Sequence, residues 1–490
     1  MKNNYPEWVL KHKKTNTEVK KIKEKYYLYE VSSFWDKVKG RAQKKSGKYL
    51  GRITEEKLID KHRPYKPKIS LPEELANKVT VKELGASYTL TENFGKPILD
   101  KLNEIFPDCA NEIFTISILR AIHQCPMKNI KYLYNDSYLS NKFNNLDLSG
   151  KNISNMMKEI GARRTDIVCF MRNFIAGSEH IAFDMTDIVS SSKKLGINAL
   201  GKCASGFDRK VNLLYAFSIS KNSPAYYRIL PGNIRDVSSL ELSLKEAGIE
   251  DAVIVADKGF ASKANFETIK AIGAKFIMPL RRSSNMIVYE KFEKTDRSVL
   301  DGYFIHEKRI IWHYSYTNAQ NGLKISTFLD ESLRVEECYD YMERINSNCE
   351  GFTNEKFTIK NIEFGTISIA TSIDSLLTAK EIYINYKQRM QVENVFDTFK
   401  NVLEADRTYA SNEHSLECWM FFNHIAMMLL YDLYRVLIQN DLLGKYSVKD
   451  ILILLSQIRT LKIQDSWVKS EVTSKTATIL KKLNINILPN

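Results

Sequence analysis

Three carboxylates stand in settings unlike those of ordinary surface acids: Asp184 in HIAFDMTD, Asp257 in VIVADKGF and Glu393 in YKQRMQVENVFDTFK. The third keeps particular company. Tyr386, Arg389, Glu393 and Lys400 are spaced so that, at about 100° per residue, all four side chains project from one side of a helix. A carboxylate flanked by a guanidinium, an ammonium and a phenol suits a metal ion and a phosphodiester together, because the acid binds the cation while the other three donate to phosphate oxygens. Nucleic-acid chemistry is therefore the first reading. Taken alone, the same quartet would serve equally as a solvated helix face whose spaced charge pairs contribute roughly a few tenths of a kcal/mol each.

The elements around the three acids decide between these readings. Thr378 and Glu381 have capping-box spacing, and no Pro or Gly occurs from Ala379 to Ala405, which predicts one long helix starting at Ala379. Val392, Val395, Phe396 and Phe399 form its packing side. The residues around Asp184 read as an apolar strand with the acid inside it, and DAVIVADKGF reads as a β-branched strand with Asp257 at its C-terminal edge before a turn at Gly259. In open α/β sheets that edge is where ligands gather. An ionised carboxylate inside a buried strand is costly unless it is paired or holds a metal. Asp187, three residues beyond Asp184, is expected to be a supporting or solvated residue.

These motifs resemble the DDE transposases of bacterial insertion sequences, the cut-and-paste group marked by a Tyr-Arg-Glu-Lys pattern around its third acid. The family spacing Y-x2-R-x3-E-x6-K is reproduced by Tyr386, Arg389, Glu393 and Lys400; its Asp-x-Gly-[Phe/Tyr] turn by Asp257, Gly259 and Phe260; its first acid by Asp184. A Pro-Gly-Asn-x-x-Asp turn between the first two acids is matched by Pro231, Gly232, Asn233 and Asp236. The resemblance spans residues 85 to 435 and implies an RNase H-like core in which Asp184, Asp257 and Glu393 bind two Mg²⁺ ions, with Mn²⁺ able to substitute. Two such ions, about 3.5 to 4 Å apart, serve both ends of an in-line displacement at phosphorus. Tyr386, Arg389 and Lys400 would hold the DNA end. The implied partners are double-stranded DNA, as transposon ends and as target, and a second copy of the chain in a homodimeric synaptic complex.

Composition fits a polyanionic partner. The chain carries a formal charge of +14, and residues 1–70 hold 20 Lys and Arg against 8 Asp and Glu, so nearly all the excess lies in the first seventh. Tyr26, Tyr27, Tyr29, Phe34 and Trp35 precede a glycine-punctuated basic stretch from Lys37 to Arg52, which predicts a small β-hairpin unit with a basic loop. A solvated basic leader would show the same charge.

The expected fold is α/β. A basic DNA-binding segment covers 1–74 and a helical N-terminal domain 75–178. An RNase H-like catalytic core follows in two halves, 179–280 and 371–437, interrupted by a β-rich insertion over 281–370, and a helical tail covers 438–490. VNLLYAFSISK and SPAYYRILPGN predict a hairpin in the first half; NMIVYEKF, GYFIHEKRIIWHYSYT, KFTIKNIEFG and TISIATS predict short strands in the insertion. In the resembled family such an insertion grips DNA and can stack on a base turned out of the duplex. Trp312, His313 and Tyr314 have side chains of that kind, although strand aromatics more often pack their own core.

The apolar segment CWMFFNHIAMMLLYDLYRVLI is long enough for a bilayer, but Asn423, His424, Asp432 and Arg435 interrupt it, so a buried helix bracing the core is expected, with His424 a core imidazole and no membrane partner. Seven cysteines in no paired spacing argue against a zinc module or a disulfide framework. With no apolar leader before a cleavage-like site, the chain is expected in the bacterial cytoplasm, on the nucleoid when bound to DNA. Two rival functions share these features: a transposase-derived DNA-binding protein without strand transfer, against which all three acids count, and an RNase H-like DNA nuclease.

Overall fold

Two units divide the chain, Met1–Asn77 and Lys78–Asn490. The computed structural model describes residues 5–36, 39–59, 79–175, 180–203, 206–234, 237–249, 252–293, 296–372, 377–463 and 466–487. Asp236, the last residue of the Pro-Gly-Asn turn motif, lies outside them.

In the first unit, strands β1 (Thr17–Ile22), β2 (Lys25–Asp36), β3 (Arg41–Ile53) and β4 (Leu58–Ile59) form one antiparallel sheet in sequence order. Lys23 and Glu24, at φ 45° and 56°, supply the left-handed pair that a two-residue type I′ hairpin turn needs. The core is small: Val9, Val19, Leu28 and Ile53.

The second unit is built on an eleven-stranded mixed sheet. Outside it, β5 (Thr80–Glu83) opens the unit. The sheet's strands are β6 (His180–Ser190), β7 (Ala199–Cys203), β8 (Gly206–Ser218), β9 (Ser223–Pro231), β10 (Val253–Ala256), β11 (Lys275–Pro279), β12 (Gly302–His306), β13 (Arg309–Thr317), β14 (Lys324–Asp330), β15 (Thr366–Thr371) and β16 (Arg407–Thr408). Their order is β12-β13-β14-β15-β11-β10-β6-β8-β7, with β9 on β8 and β16 on β6. At its centre β6, β10 and β11 run parallel. Helices Val237–Ala247 and Lys263–Ala271 lie between them in the chain, as parallel connections require. The hairpin expected from VNLLYAFSISK and SPAYYRILPGN is β8–β9.

Several expectations are corrected. Residues 281–370 are β-rich only in part: β14 pairs with β15 and β15 with β11, so the outer strands prolong the main sheet, and helices Glu331–Asn346 and Asn354–Lys360 occupy the second half of the stretch. KFTIKNIEFG is helical rather than extended because the Thr353 hydroxyl caps it at Lys356 N–H, and because Phe357 and Phe364 converge on Tyr341 at ring distances of 5.7 and 5.6 Å. NMIVYEKF likewise ends in a short helix, Glu290–Glu293. The predicted single helix from Ala379 is three consecutive pieces, Ala379–Lys387, Met390–Asp397 and a π-helical turn Thr398–Val402. Its capping box at Thr378 and Glu381 forms. Finally, 438–490 is not a helical tail alone, since β17 (Arg459–Ile463) and β18 (Ser466–Lys469) make a hairpin that pairs β17 with β5.

Helix Glu413–Gln439 braces the unit. It passes by length and hydropathy as a membrane span, yet 72% of that window is buried in the protein, which accounts for its composition. Its polar residues are satisfied inside. His424 Nδ1 pairs with the Tyr215 hydroxyl at 2.8 Å, and burial pulls its pKa down to about 3, so the ring is neutral. Asn423 Oδ1 accepts from Arg120 Nη2 at 3.0 Å, and the same guanidinium reaches the Leu403 carbonyl at 2.7 Å, fastening the end of the Glu393 segment to the helical layer. Helix Gly150–Ala162 approaches so closely that a Cβ on Gly161 would fall 1.7 Å from the His414 carbonyl oxygen. Gly161→Ala is therefore expected to destabilise this unit by about 2 kcal/mol or more in denaturant unfolding; a loss within about 0.5 kcal/mol would show that the two helices separate easily.

Candidate active site

The register of the parallel strands sets the first two acids side by side. β10 pairs with β6 from Val253 opposite His180 to Ala256 opposite Phe183, so Asp257 and Asp184 are the next residue on each strand, and the charge of Asp257 acts on Asp184. β10 ends there. The chain turns through Lys258 and Gly259, with Phe260 N–H donating to the Asp257 carbonyl at 2.9 Å and the Phe260 ring buried as an anchor. Ser262 then caps helix Lys263–Ala271. Asp184 stays in mid-strand, where its neighbour has just stopped, and accepts from Met185 N–H at 2.8 Å.

The third acid arrives from above the sheet. Helices Ala379–Lys387 and Met390–Asp397 cross β11, β10, β6 and β8, held down by Ile382, Val392, Val395 and, in the following π turn, Phe399, all buried. Phe396 meets Tyr215 of β8 edge to face at 6.3 Å. Between the helices the ladder tightens: Arg389 N–H donates to the Tyr386 carbonyl and Val392 N–H to the Arg389 carbonyl, three residues back in each case.

Arg389 occupies the middle. One guanidinium nitrogen lies 3.0 Å from Asp184 Oδ2 and the other 2.9 Å from Glu393 Oε1. Its carbon stands 5.9 Å from the Tyr386 ring centre. Its Nε is buried without a hydrogen-bond partner among the described residues. Burial pushes the Asp184 pKa up to about 6, and the nearby charges of Asp257 and Glu393 add to the rise against the opposing pull of Met185 N–H and Arg389. Burial also raises the Tyr386 hydroxyl, keeping it a proton donor at neutral pH. Burial acts to lower the Arg389 pKa, but Tyr386, Asp184, Asp257 and Glu393 together raise it. Among the described residues, no three His, Cys, Asp or Glu side chains are gathered tightly enough to hold a metal ion as they stand.

The remaining sequence candidates fall at graded distances. Lys400 lies in the π-helical turn, beyond Glu393. Asp187 is an odd number of residues from Asp184 on β6 and so faces the other side of the sheet, beside Cys203. Trp312 is on β13, four strands from β10, with its ring 5.1 Å from Tyr303 and its flank on the Phe292, Leu300 and Leu329 cluster. It is not part of the acid cluster.

Sequence reasoning missed the cleft next to Asp257, about 850 Å³, into which Lys258, Arg281, Arg282, Tyr383 and Tyr386 project. A signal existed. Arg281 and Arg282 follow β11, which is parallel to β10, so they leave the sheet at the same edge as Asp257. Tyr383 lies one helical turn before Tyr386.

Because Asp184 is held above its ordinary pKa, folding disfavours its charge. Between about pH 4 and pH 6 the folded chain keeps a proton that the unfolded chain releases, so stability falls through that window and is lowest above it. In chelating buffer, Asp184→Asn is expected to be more stable than the unaltered chain at pH 8, by about 1–3 kcal/mol, with the gap closing toward pH 4. A variant less stable at pH 8 would mean that the Arg389 ion pair outweighs burial.

No curated protein matches the chain. Among solved structures, the piggyBac transposase synaptic complex with hairpin DNA is similar at 12% identity, over 82% of this chain and 85% of that one, with a TM-score of 0.40. Residues 177–429 match the sequence pattern of the transposase DDE domain. That match takes in Asp184, Asp257 and Glu393 and more than half of the sequence, and the chain belongs to the transposase DDE domain family.

Proposed function

We propose that the protein is a DNA transposase of the Tyr-Arg-Glu-Lys group, which binds the terminal inverted repeats of an insertion sequence, cleaves the ends and joins them to target DNA. The observation that carries this reading is the bridging of Asp184 and Glu393 by Arg389 beside Asp257, inside a domain matched to the family. Three carboxylates against one guanidinium leave negative charge in excess, and the charges of Asp257 and Glu393 add to the rise that burial imposes on Asp184. Such an all-oxygen donor set fits hard cations: Asp184, Asp257 and Glu393 would hold two Mg²⁺, or Mn²⁺ in their place. When bound, such ions make a water or a 3′-hydroxyl nucleophilic and neutralise the leaving oxygen.

The chain's own residues supply binding and orientation. The unpartnered Nε of Arg389 is a donor ready for a phosphate oxygen, and a phosphodiester taking the whole guanidinium would draw it away from the two carboxylates. Tyr386 donates its phenolic proton to the same strand, and Lys400 follows the backbone further along the helix axis. Trp312 and its exposed neighbour Tyr303 are proposed as an aromatic pair touching DNA on the outer strands. In this reading the central strands form an RNase H-like core, the basic first unit adds DNA affinity, two copies pair the two ends, and the protein works in the bacterial cytoplasm on nucleoid DNA.

In a strand-cleavage assay with the element's own ends and Mg²⁺, Asp184→Ala, Asp257→Ala and Glu393→Ala are each expected to lower cleavage by about a thousandfold or more while end binding persists. Normal cleavage by any one of them would falsify the assignment. Arg389→Ala is expected to weaken end binding by about tenfold and to slow cleavage as well, as removal of a charge-assisted hydrogen bond to phosphate, about 1.5–3 kcal/mol, implies. Unchanged affinity and rate would remove it from the DNA path.

A further inference from the structure

The first unit carries a feature that its own stability does not require. Beyond Val31 on β2 and Ser46 on β3, the two strands run on as a bare ribbon to the Asp36–Arg41 pair, and no residue of 32–36 or 41–45 is buried. The root is braced. Ser46 Oγ donates to Glu18 and accepts from Lys20 Nζ, each at 2.8 Å. Register shifts between Leu28 and Val31, with Gly47 set against Glu30, bend the ribbon where it leaves the core. A two-stranded ribbon is marginal in water without a face to pack on. This one also exposes Phe34 at 51% and Trp35 at 65%.

Its charge points to the partner. β3 holds Arg41, Lys44, Lys45, Lys48 and Arg52 and no acidic residue. Among the described residues, Arg41, Lys44, Lys45 and Lys48 make no ion pair, whereas Lys20 and Lys21 on β1 are matched with Glu18 and Glu24. The pairing register sorts the side chains by face. Trp35, Ala42, Ser33 and Lys44 share one side, while Phe34, Gln43, Arg41 with Asp36 opposite it, Ser32 and Lys45 share the other.

We propose that the β2–β3 ribbon is a duplex-DNA reading arm that lies in the major groove, with the Arg41, Gln43 and Phe34 face toward the base edges and Lys44 and Lys48 against phosphates. The fit is geometric and chemical. Six residues of β2 span about 20 Å, and a groove about 12 Å wide admits a two-stranded ribbon. Arg and Gln are the side chains that pair with guanine and adenine edges there, and an aromatic ring can cover a thymine methyl. This inference rests on the reading of the protein as a DNA transposase and adds where and how its first unit holds DNA.

The test uses the full chain in chelating buffer, so that no strand is cut, and a mixed-sequence duplex of about 40 base pairs over a range of salt. Lys44→Ala, Lys45→Ala and Lys48→Ala combined are expected to weaken binding at least about tenfold and to flatten the dependence of log affinity on log salt by about 2 to 3, one unit for each phosphate no longer neutralised. A second duplex, with cytosines carrying glucosylated hydroxymethyl groups that fill the major groove, is expected to bind the unaltered chain more weakly. Arg41→Ala with Gln43→Ala should not distinguish the two duplexes. Unchanged affinity and salt slope in the lysine variant overturns the proposal, as does equal binding of both duplexes by the unaltered chain, or no binding of either. If the ribbon variants behave as expected while the chain cleaves no ends, the arm stands and the transposase reading falls. If the chain cleaves its ends and the ribbon variants bind normally, only the arm falls.

Discussion

Everything in the larger unit converges on the electrostatics of one guanidinium. Arg389 spans Asp184 and Glu393 at 3.0 and 2.9 Å, and with Asp257 nearby it leaves three acids and one base in a half-buried place. Bringing like charges together out of water is unfavourable, and the fold sustains it only because each acid rides on an element fixed for other reasons. Asp184 belongs to a strand hydrogen-bonded on both flanks. Asp257 follows a strand anchored by Phe260, and Glu393 sits on a helix pressed down by Val392 and Val395 and fastened near its end by Arg120. A site of this kind is pre-organised and under tension, which is the usual condition of catalytic carboxylates.

The same arrangement explains the large apolar investment behind the sheet. A helix as hydrophobic as Glu413–Gln439 would be a liability on a surface; buried, it sets His424 against Tyr215 of β8 and, on the adjacent residue, Asn423 against Arg120, which also holds the Leu403 carbonyl at the end of the acid-bearing helix. Such buried hydrogen bonds specify position as well as tolerating burial. Movement of Arg389 toward a phosphate would then change its immediate surroundings without disturbing the frame.

Much of this was readable from residue types. VIVA is β-branched and apolar because both faces of β10 are covered, and the acid after it marks the strand's end. The helical spacing of Tyr386, Arg389, Glu393 and Lys400 was visible for the same reason that Thr378 and Glu381 were: local geometry dictates both. What eluded the sequence was long-range. The break at Gln388 and Arg389 carries no Pro or Gly, because it comes from tightened backbone hydrogen bonds while Arg389 reaches back to β6. The strands of 302–371 gave no hint that they would prolong the main sheet, since pairing β15 with β11 depends on a partner some ninety residues away. Phe357 and Phe364 could have belonged to a strand until Tyr341 gave them a common target.

The proposed function requires that Asp184, Asp257 and Glu393 share divalent cations against a DNA strand while Arg389 changes partners. Crystals of the protein with a cleavable DNA end, soaked in Mn²⁺ and measured at the manganese absorption edge, would reveal both events at once. The expected result is a pair of anomalous peaks among the three carboxylates, with Arg389 on a phosphate. Arg389 still bridging Asp184 and Glu393, and no manganese between them with DNA in place, would contradict it.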